Sequence, residues 1–229
     1  MAGPIGIVGL GLMGRGIAAC LLAHGFEVIG FNRTQRRAEV SVEHIGAALR
    51  EMVERGLVKA AAIDDWRRRY RLVRAIEQMA PSVLVLESVR EDLALKRRIF
   101  DALEGAVPAE TVIGSNTSSI PITILQQDRK QPERFIGMHW GEPVQVSRYL
   151  EITRGKQTAD RAIRLARRIG AACGKEPTLL HRDIRGFLSN RMMYAMMREA
   201  LHLVEQGVAD LADVDRSFRN DIGWWATIA

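Results

Sequence analysis

Residues 5–18 read I-G-I-V-G-L-G-L-M-G-R-G-I-A, an apolar run that breaks into Gly9, Gly11 and Gly14 and then continues as a helix-forming stretch. A strand, a tight glycine turn and a helix in that order restrict the chain to folds that open on a β-α-β unit. Gly9 lets the strand double back, Gly11 lets the main chain approach a ligand closely, and Gly14 lets the helix lie against the strand. Free N–H groups at the positive end of such a helix bind phosphate. The segment Gly9, Gly11, Leu12, Met13 and Gly14 therefore reads as a dinucleotide-binding turn. Its surroundings agree: Met13, Ile17, Ala18, Leu21 and Leu22 share one helical face, Gly25 stops the helix, and Phe26 to Phe31 reads as the next strand.

Further along, Ser82 to Glu87 is a strong apolar strand, Leu93 to Leu103 has helical spacing, and Thr111 to Gly114 starts another strand. Residues 34–68 read as two polar helices around Glu54-Arg55-Gly56, followed by a short strand to Val73 and a short helix over Ala75 to Ala80. Phe135 to His139 and Thr178 to Arg182 read as strands flanking a basic amphipathic helix over Ala159 to Gly170. Alternation of this kind predicts an α/β, Rossmann-type, doubly wound and mostly parallel sheet that binds ligands at the strand C-termini. Beyond Gly186 only helix is expected, with Arg191 to Glu205 rich in Met and Leu. The predicted organisation is a coenzyme-binding domain over residues 1–185 with a helical insertion at about 34–68, then the start of an all-helical domain over 186–229.

With 47% hydrophobic and 26% charged residues, the chain of 229 can bury a substantial core. No stretch is long enough to span a membrane and the N-terminus enters a strand at once, so a cytoplasmic location is expected. Thirty-three Lys and Arg against 27 Asp and Glu give a net charge of +6, which suits a phosphorylated coenzyme and an anionic substrate as well as it suits nucleic acid. The densest basic run, W-R-R-R-Y-R-L-V-R over Trp66 to Arg74, reads as a solvated edge, and no nucleic-acid module accompanies it. Cys20 and Cys173 are far apart in sequence and read as separate packed thiols; neither a disulfide nor a metal site is expected.

Three features follow the strands. Ser115-Asn116-Thr117-Ser118-Ser119 places hydroxyls and an amide where a coenzyme's reactive ring would lie, although alone it reads as a cap or turn. His139 ends a strand, and Glu151 falls on the neighbouring antiparallel segment, where a carboxylate would fix the imidazole tautomer. Asn190 opens the helical part.

Taken together, G-x-G-x-M-G-x-G-I-A, L-E-S-V-R-E-D-L-A-L-K at Leu86 to Lys96, S-N-T-S-S, the His139/Glu151 pair and R-G-F-L-S-N-R at Arg185 to Arg191 resemble the 3-hydroxyacyl-CoA dehydrogenase family. The resemblance implies hydride transfer between NAD(P) and the C3 carbon of a 3-hydroxyacyl substrate. It implies His139 as base, Glu151 as its partner, Ser118 and Asn190 on the substrate oxygen, Asn116 beside the coenzyme, and Glu87 and Lys96 near the nicotinamide half. It also implies a homodimer built through the helical domain.

Three departures qualify the match. Asn32-Arg33-Thr34 stands where the family usually has Asp, which predicts NADP over NAD because Arg33 can hold a 2′-phosphate. The same segment resembles the β-hydroxyacid dehydrogenases of the 6-phosphogluconate type, whose later motifs find no match here. His139-Trp140-Gly141-Glu142-Pro143 replaces the H-F-F-N-P of acyl-CoA oxidisers, and the Glu142 carboxylate disfavours an anionic group nearby. A free hydroxy acid of the L-gulonate or carnitine kind is the competing substrate, with the arginines of residues 34–68 available to CoA phosphates or to solvent. The chain also stops at Trp224-Trp225-Ala226-Thr227-Ile228-Ala229, which reads as a truncated helical domain and leaves open a coenzyme-binding remnant without turnover.

Overall fold

The computed structural model describes residues 3–223, except for the side chains of Gln35 and Arg37. The chain divides into two compact units, Met1–Phe187 and Leu188–Ala229.

The first unit is built on eight strands: β1 (Ile5–Val8), β2 (Val28–Phe31), β3 (Tyr70–Val73), β4 (Leu84–Glu87), β5 (Val112–Ser115), β6 (Phe135–Trp140), β7 (Tyr149–Thr153) and β8 (Glu176–Leu180). Their order across the sheet is β3-β2-β1-β4-β5-β6-β7-β8. All neighbours are parallel except β6 and β7, which pair antiparallel with His139 directly opposite Glu151. The helices of this unit are α1 (Leu12–Ala23), α2 (Gln35–Glu54), α3 (Trp66–Arg69), α4 (Leu93–Ala106), α5 (Ile122–Leu125) and α6 (Asp160–Ala172). Because β1 is flanked by β2 on one side and β4 on the other, the chain reverses its winding beside β1 and opens a crevice at the C-terminal ends of β1 and β4.

Side-chain alternation sorts the core into two layers. Ile5, Ile7, Leu84, Leu86 and Val112 join Ile17, Leu21, Ile45, Leu49, Ile163 and Ile169 on the α1, α2 and α6 side. Val8, Val85 and Ile113 face Phe100, Leu103, Ile122, Phe135 and Phe187 on the other. Strands covered on both faces account for the near-continuous apolar runs seen in the sequence.

The helix pair expected over residues 34–68 is instead one long α2, a 3-10 turn at Ala60–Ala62 and the four-residue α3. The physical reason is a tertiary clamp. Arg69 donates to the carbonyls of Leu22 at 2.6 Å and Ala62 at 2.8 Å, and its Nε meets Asp65 at 2.8 Å. Holding the end of α1 this way keeps residues 57–65 as a strap, and Arg69 is a structural residue within a basic run that reads as solvated. The short helix expected over Ala75 to Ala80 is a 3-10 turn, Ile76–Met79. Cys20 and Cys173 are both buried as expected, but the fold brings them side by side, with Cys20 Sγ 3.8 Å from the Cys173 carbonyl oxygen.

The second unit comprises α7 (Ser189–Glu205), α8 (Leu211–Ser217) and a π turn at Phe218–Ile222. Gly207, at φ +68°, ends α7 with the Val208 N–H donating to the Leu203 carbonyl, and the Asp210 side chain caps α8. No residue of these helices is buried within the described residues. The expectation for Trp224 to Ala229 lies outside the described residues. Among those described, no helix is long and apolar enough to cross a membrane.

Candidate active site

The turn between β1 and α1 has the geometry a phosphate cradle requires. Gly9 sits at φ +97°, and a Cβ there would come 2.6 Å from the Ser88 carbonyl oxygen. A Cβ at Gly14 would lie 1.9 Å from the Gly9 carbonyl oxygen, so only glycine lets α1 start this close to β1. Gly11 is different: a Cβ there would meet nothing within 4 Å. Open space above Gly11, with no side chain among the described residues capping the first N–H groups of α1, is what an incoming pyrophosphate needs.

A cavity of about 800 Å³ extends from this turn along the end of β2. Gly9, Gly11, Asn32 and Arg33 line it, with Arg15, Arg36, Arg90 and Arg98, and its described lining contains no carboxylate. Asn32 Oδ1 accepts from the Arg33 N–H at 2.9 Å, which shapes the loop into α2. Leu12, Met13 and Gly14 do not line this cavity. Leu12 is exposed, Met13 packs on the core and Gly14 serves the close approach already described.

Glu87 and Lys96 are both fully buried. Lys96 Nζ lies 2.8 and 2.9 Å from the two Glu87 oxygens, and Glu87 also accepts from the Ser115 hydroxyl at 2.6 Å and the Val89 N–H at 2.7 Å. What this pair presents to the crevice is the backbone it holds, at Ser88–Val89 and at the end of β5. Glu91, which sequence reasoning passed over, does similar work from a half-exposed position. It accepts from the Thr117 hydroxyl and from the Ser118 and Ser119 N–H groups at 3.0 Å each, and lies 3.3 Å from Lys96 Nζ. Burial alone would raise the Glu91 carboxyl, but Thr117, Lys96 and the Ser119 N–H together hold it below its ordinary value of 4.5.

The serine-rich turn after β5 thus splits by function. Ser115 is the last residue of the strand and points into the Glu87 pair, while Asn116 donates to Ser88 Oγ at 3.2 Å and accepts from the Trp140 N–H at 2.9 Å. Asn116 therefore braces the end of β6 against the end of β4. Ser118 is the exposed member.

On β6, His139 Nδ1 lies 3.1 Å from Glu151 Oε2. The Glu151 side chain is 1% exposed and that of His139 12%. The pairing follows from the register of β6 and β7, which sets the two residues opposite each other on one face. Tyr149, also unanticipated, donates its hydroxyl to Glu151 and stands 3.0 Å from His139 Nδ1. Its ring packs edge-on to the imidazole at 5.5 Å, and Phe187 closes the other side at 5.8 Å. The i,i+2 spacing of Tyr149 and Glu151 along a strand was the signal available for it. Asn190 lies in the first turn of α7, in the second unit.

The sequence model of the 3-hydroxyacyl-CoA dehydrogenase NAD-binding domain matches residues 4–184, and that of the C-terminal domain of the same family matches 186–228. The chain belongs to the 3-hydroxyacyl-CoA dehydrogenase family. It is accordingly an oxidoreductase with an NAD(P)-binding domain. Among relatives, it is 34% identical to a probable 3-hydroxybutyryl-CoA dehydrogenase of Deinococcus radiodurans, over 92% of this chain and 75% of that protein. It is also 34% identical to an L-carnitine dehydrogenase of Streptomyces griseus, over 98% of this chain and 66% of that one. A crystal structure of 5-formyl-3-hydroxy-2-methylpyridine 4-carboxylic acid 5-dehydrogenase, described as an NAD+-dependent dismutase, superposes with a TM-score of 0.88. It is 32% identical and is covered over 72% of its length by 98% of this chain.

Proposed function

We propose that this family member oxidises the 3-hydroxyl of a hydroxyacyl substrate, with His139 as the base and NADP as the preferred coenzyme. The observation that carries the reading is the His139–Glu151 pair, one partner sealed and the other 12% exposed, near the carboxyl end of β6, which runs parallel to the strand that leads into the glycine cradle. Glu151 accepts from Nδ1 and so leaves Nε2 to take the hydroxyl proton; the carboxylate then stabilises the imidazolium. Tyr149 holds the same Glu151 oxygen through its hydroxyl. Ser118, exposed on the turn after β5, supplies a hydroxyl to the substrate oxygen, and Asn116 keeps the ends of β4 and β6 at a fixed spacing. The bound coenzyme supplies a hydride acceptor. Gly9, Gly11 and the α1 N–H groups hold its pyrophosphate, and Arg33 and Arg36 face a 2′-phosphate without opposition from a carboxylate.

One observation favours a second substrate class. Glu142 is exposed on the turn between β6 and β7, and a carboxylate there suits a cationic or polyhydroxylated free hydroxy acid better than an anionic one. Initial rates across a panel of 3-hydroxyacyl-CoA esters and free 3-hydroxy acids, run with each coenzyme, test the proposal. Turnover of the thioesters with NADP is expected; turnover confined to free acids would move the assignment, and no turnover with any member would refute it.

We further propose a homodimer formed through the second unit, where Met192, Met193, Met196, Met197 and Leu201 are exposed on α7. Apolar area of that kind costs about 25 cal/mol per Å² in water. Sedimentation at micromolar concentration should show a dimer, and a soluble monomer would contradict it.

A further inference from the structure

At the end of α1 remote from the glycine cradle, three metal-ligating side chains converge. Cys20 lies on α1, His24 caps its end one helical turn later, and Cys173 caps α6. Their ligand atoms all lie within 4.8 Å of one another. Both cysteines are buried and His24 is partly open to solvent. We propose that Cys20, His24 and Cys173 form a three-ligand site for a borderline-soft divalent cation such as Zn²⁺, with water in the fourth position.

Three further features support ligation over simple packing. First, His24 Nδ1 lies 2.8 Å from the Cys20 carbonyl oxygen, so it is the nitrogen that carries the proton and donates. A ring N–H committed to a main-chain carbonyl is the usual outer support of a metal-bound imidazole, because it fixes the tautomer and directs the other lone pair at the ion. Second, that other nitrogen faces the Cys173–Gly174 turn: an added Cβ at Gly174 would sit 3.8 Å from His24 Nε2. Gly174, at φ +69°, gives the chain the left-handed turn that brings Cys173 there. Third, the dimensions suit the ion. Zn–S bonds of about 2.3 Å and Zn–N bonds of about 2.0 Å place tetrahedral ligand atoms roughly 3.5–3.8 Å apart, within a small inward movement of the observed cluster.

The Lys175 ammonium does not compete for the site, since it is held by the Val144 and Ser147 carbonyl oxygens at 2.5 Å each. On binding, the two sulfurs bond the cation as thiolates, and the protons they give up pass to solvent with no change in oxidation state.

The test uses the full chain without a purification tag, stripped with a chelator and kept reduced. Titration with Co²⁺ should give one equivalent of a cobalt–thiolate charge-transfer band, which Zn²⁺ then abolishes by displacement. Zn²⁺ at a hundred-fold excess over its Kd should raise the thermal midpoint by roughly 5–10 °C. Cys20→Ser and Cys173→Ser should each lose most of the band. His24→Gln, at a partly open position where folding is least at risk, should weaken Co²⁺ affinity at least ten-fold while keeping the fold. A wild-type protein with no thiolate band and no thermal shift would overturn the proposal. So would a band that survives in His24→Gln with unchanged affinity, or a Cys20–Cys173 disulfide that forms at the same rate with and without Zn²⁺.

Discussion

Two buried acid–base pairs stand near the carboxyl ends of β4 and β6, with β5 between them, and they are built for opposite ends. Glu87 and Lys96 are both 0% exposed, and the carboxylate is further saturated by Ser115 and the Val89 N–H. Glu151 is as deeply buried as Glu87, yet its partner His139 keeps 12% of its side chain exposed. A sealed and saturated pair has nowhere to send a proton, and its worth lies in the backbone it fixes. A pair with one open end can pass a proton to whatever occupies the crevice. Burial of the carboxylate is common to both; what separates a brace from a reactive centre is the accessibility of its cationic or neutral partner.

Neutralising the two carboxylate systems separately tests the distinction. Glu151→Gln should lower turnover by about 10²–10⁴ through loss of tautomer control and imidazolium stabilisation, measured as kcat at saturating substrate. Lys96→Met leaves Glu87 as an uncompensated buried charge and should cost about 3–5 kcal/mol in urea unfolding. Unimpaired stability with abolished turnover in that variant would place Lys96 in the chemistry. Arg33→Ala should lose about 1.5–3 kcal/mol of NADP binding, roughly ten-fold or more, with NAD affinity unchanged; titration with each coenzyme reads the difference.

The smallest effect belongs to Glu91, which ties Lys96 to the Ser118–Ser119 turn. Its folded carboxyl titrates below the ordinary value of 4.5. The stability it contributes is therefore fully present above that value and lost as pH falls through the lower folded one. Unfolding midpoints of Glu91→Gln should converge on those of the wild type as pH falls below about 4.5 and separate from them above it. A constant offset across pH would show that the carboxylate is not linked to folding.

Features whose cause lies within a few residues were legible in the sequence. The glycine turn, the strand–helix alternation and the opposition of His139 and Glu151 all follow from local periodicity and a short hairpin connection. Features set by contacts distant in sequence were not. Arg69 reads as one arginine among five in a basic run, and its role depends on carbonyls of Leu22 and Phe26 that only the fold supplies. Cys20 and Cys173 are separated by 153 residues and meet because α1 and α6 pack on the same face of the sheet. Glu91 was missed for another reason: it acts by holding its neighbours, a role that leaves no motif of its own, and Tyr149 left only its i,i+2 spacing from Glu151.

The account turns on His139 as the proton acceptor, and the most direct measurement is turnover of His139→Gln alongside its coenzyme affinity. The account predicts a fall in kcat of about 10²–10⁴ with coenzyme Kd nearly unchanged, since the imidazole serves the chemistry and does not line the coenzyme cavity. A variant that keeps most of its turnover, or one whose loss is matched by an equal loss of coenzyme binding, would contradict it.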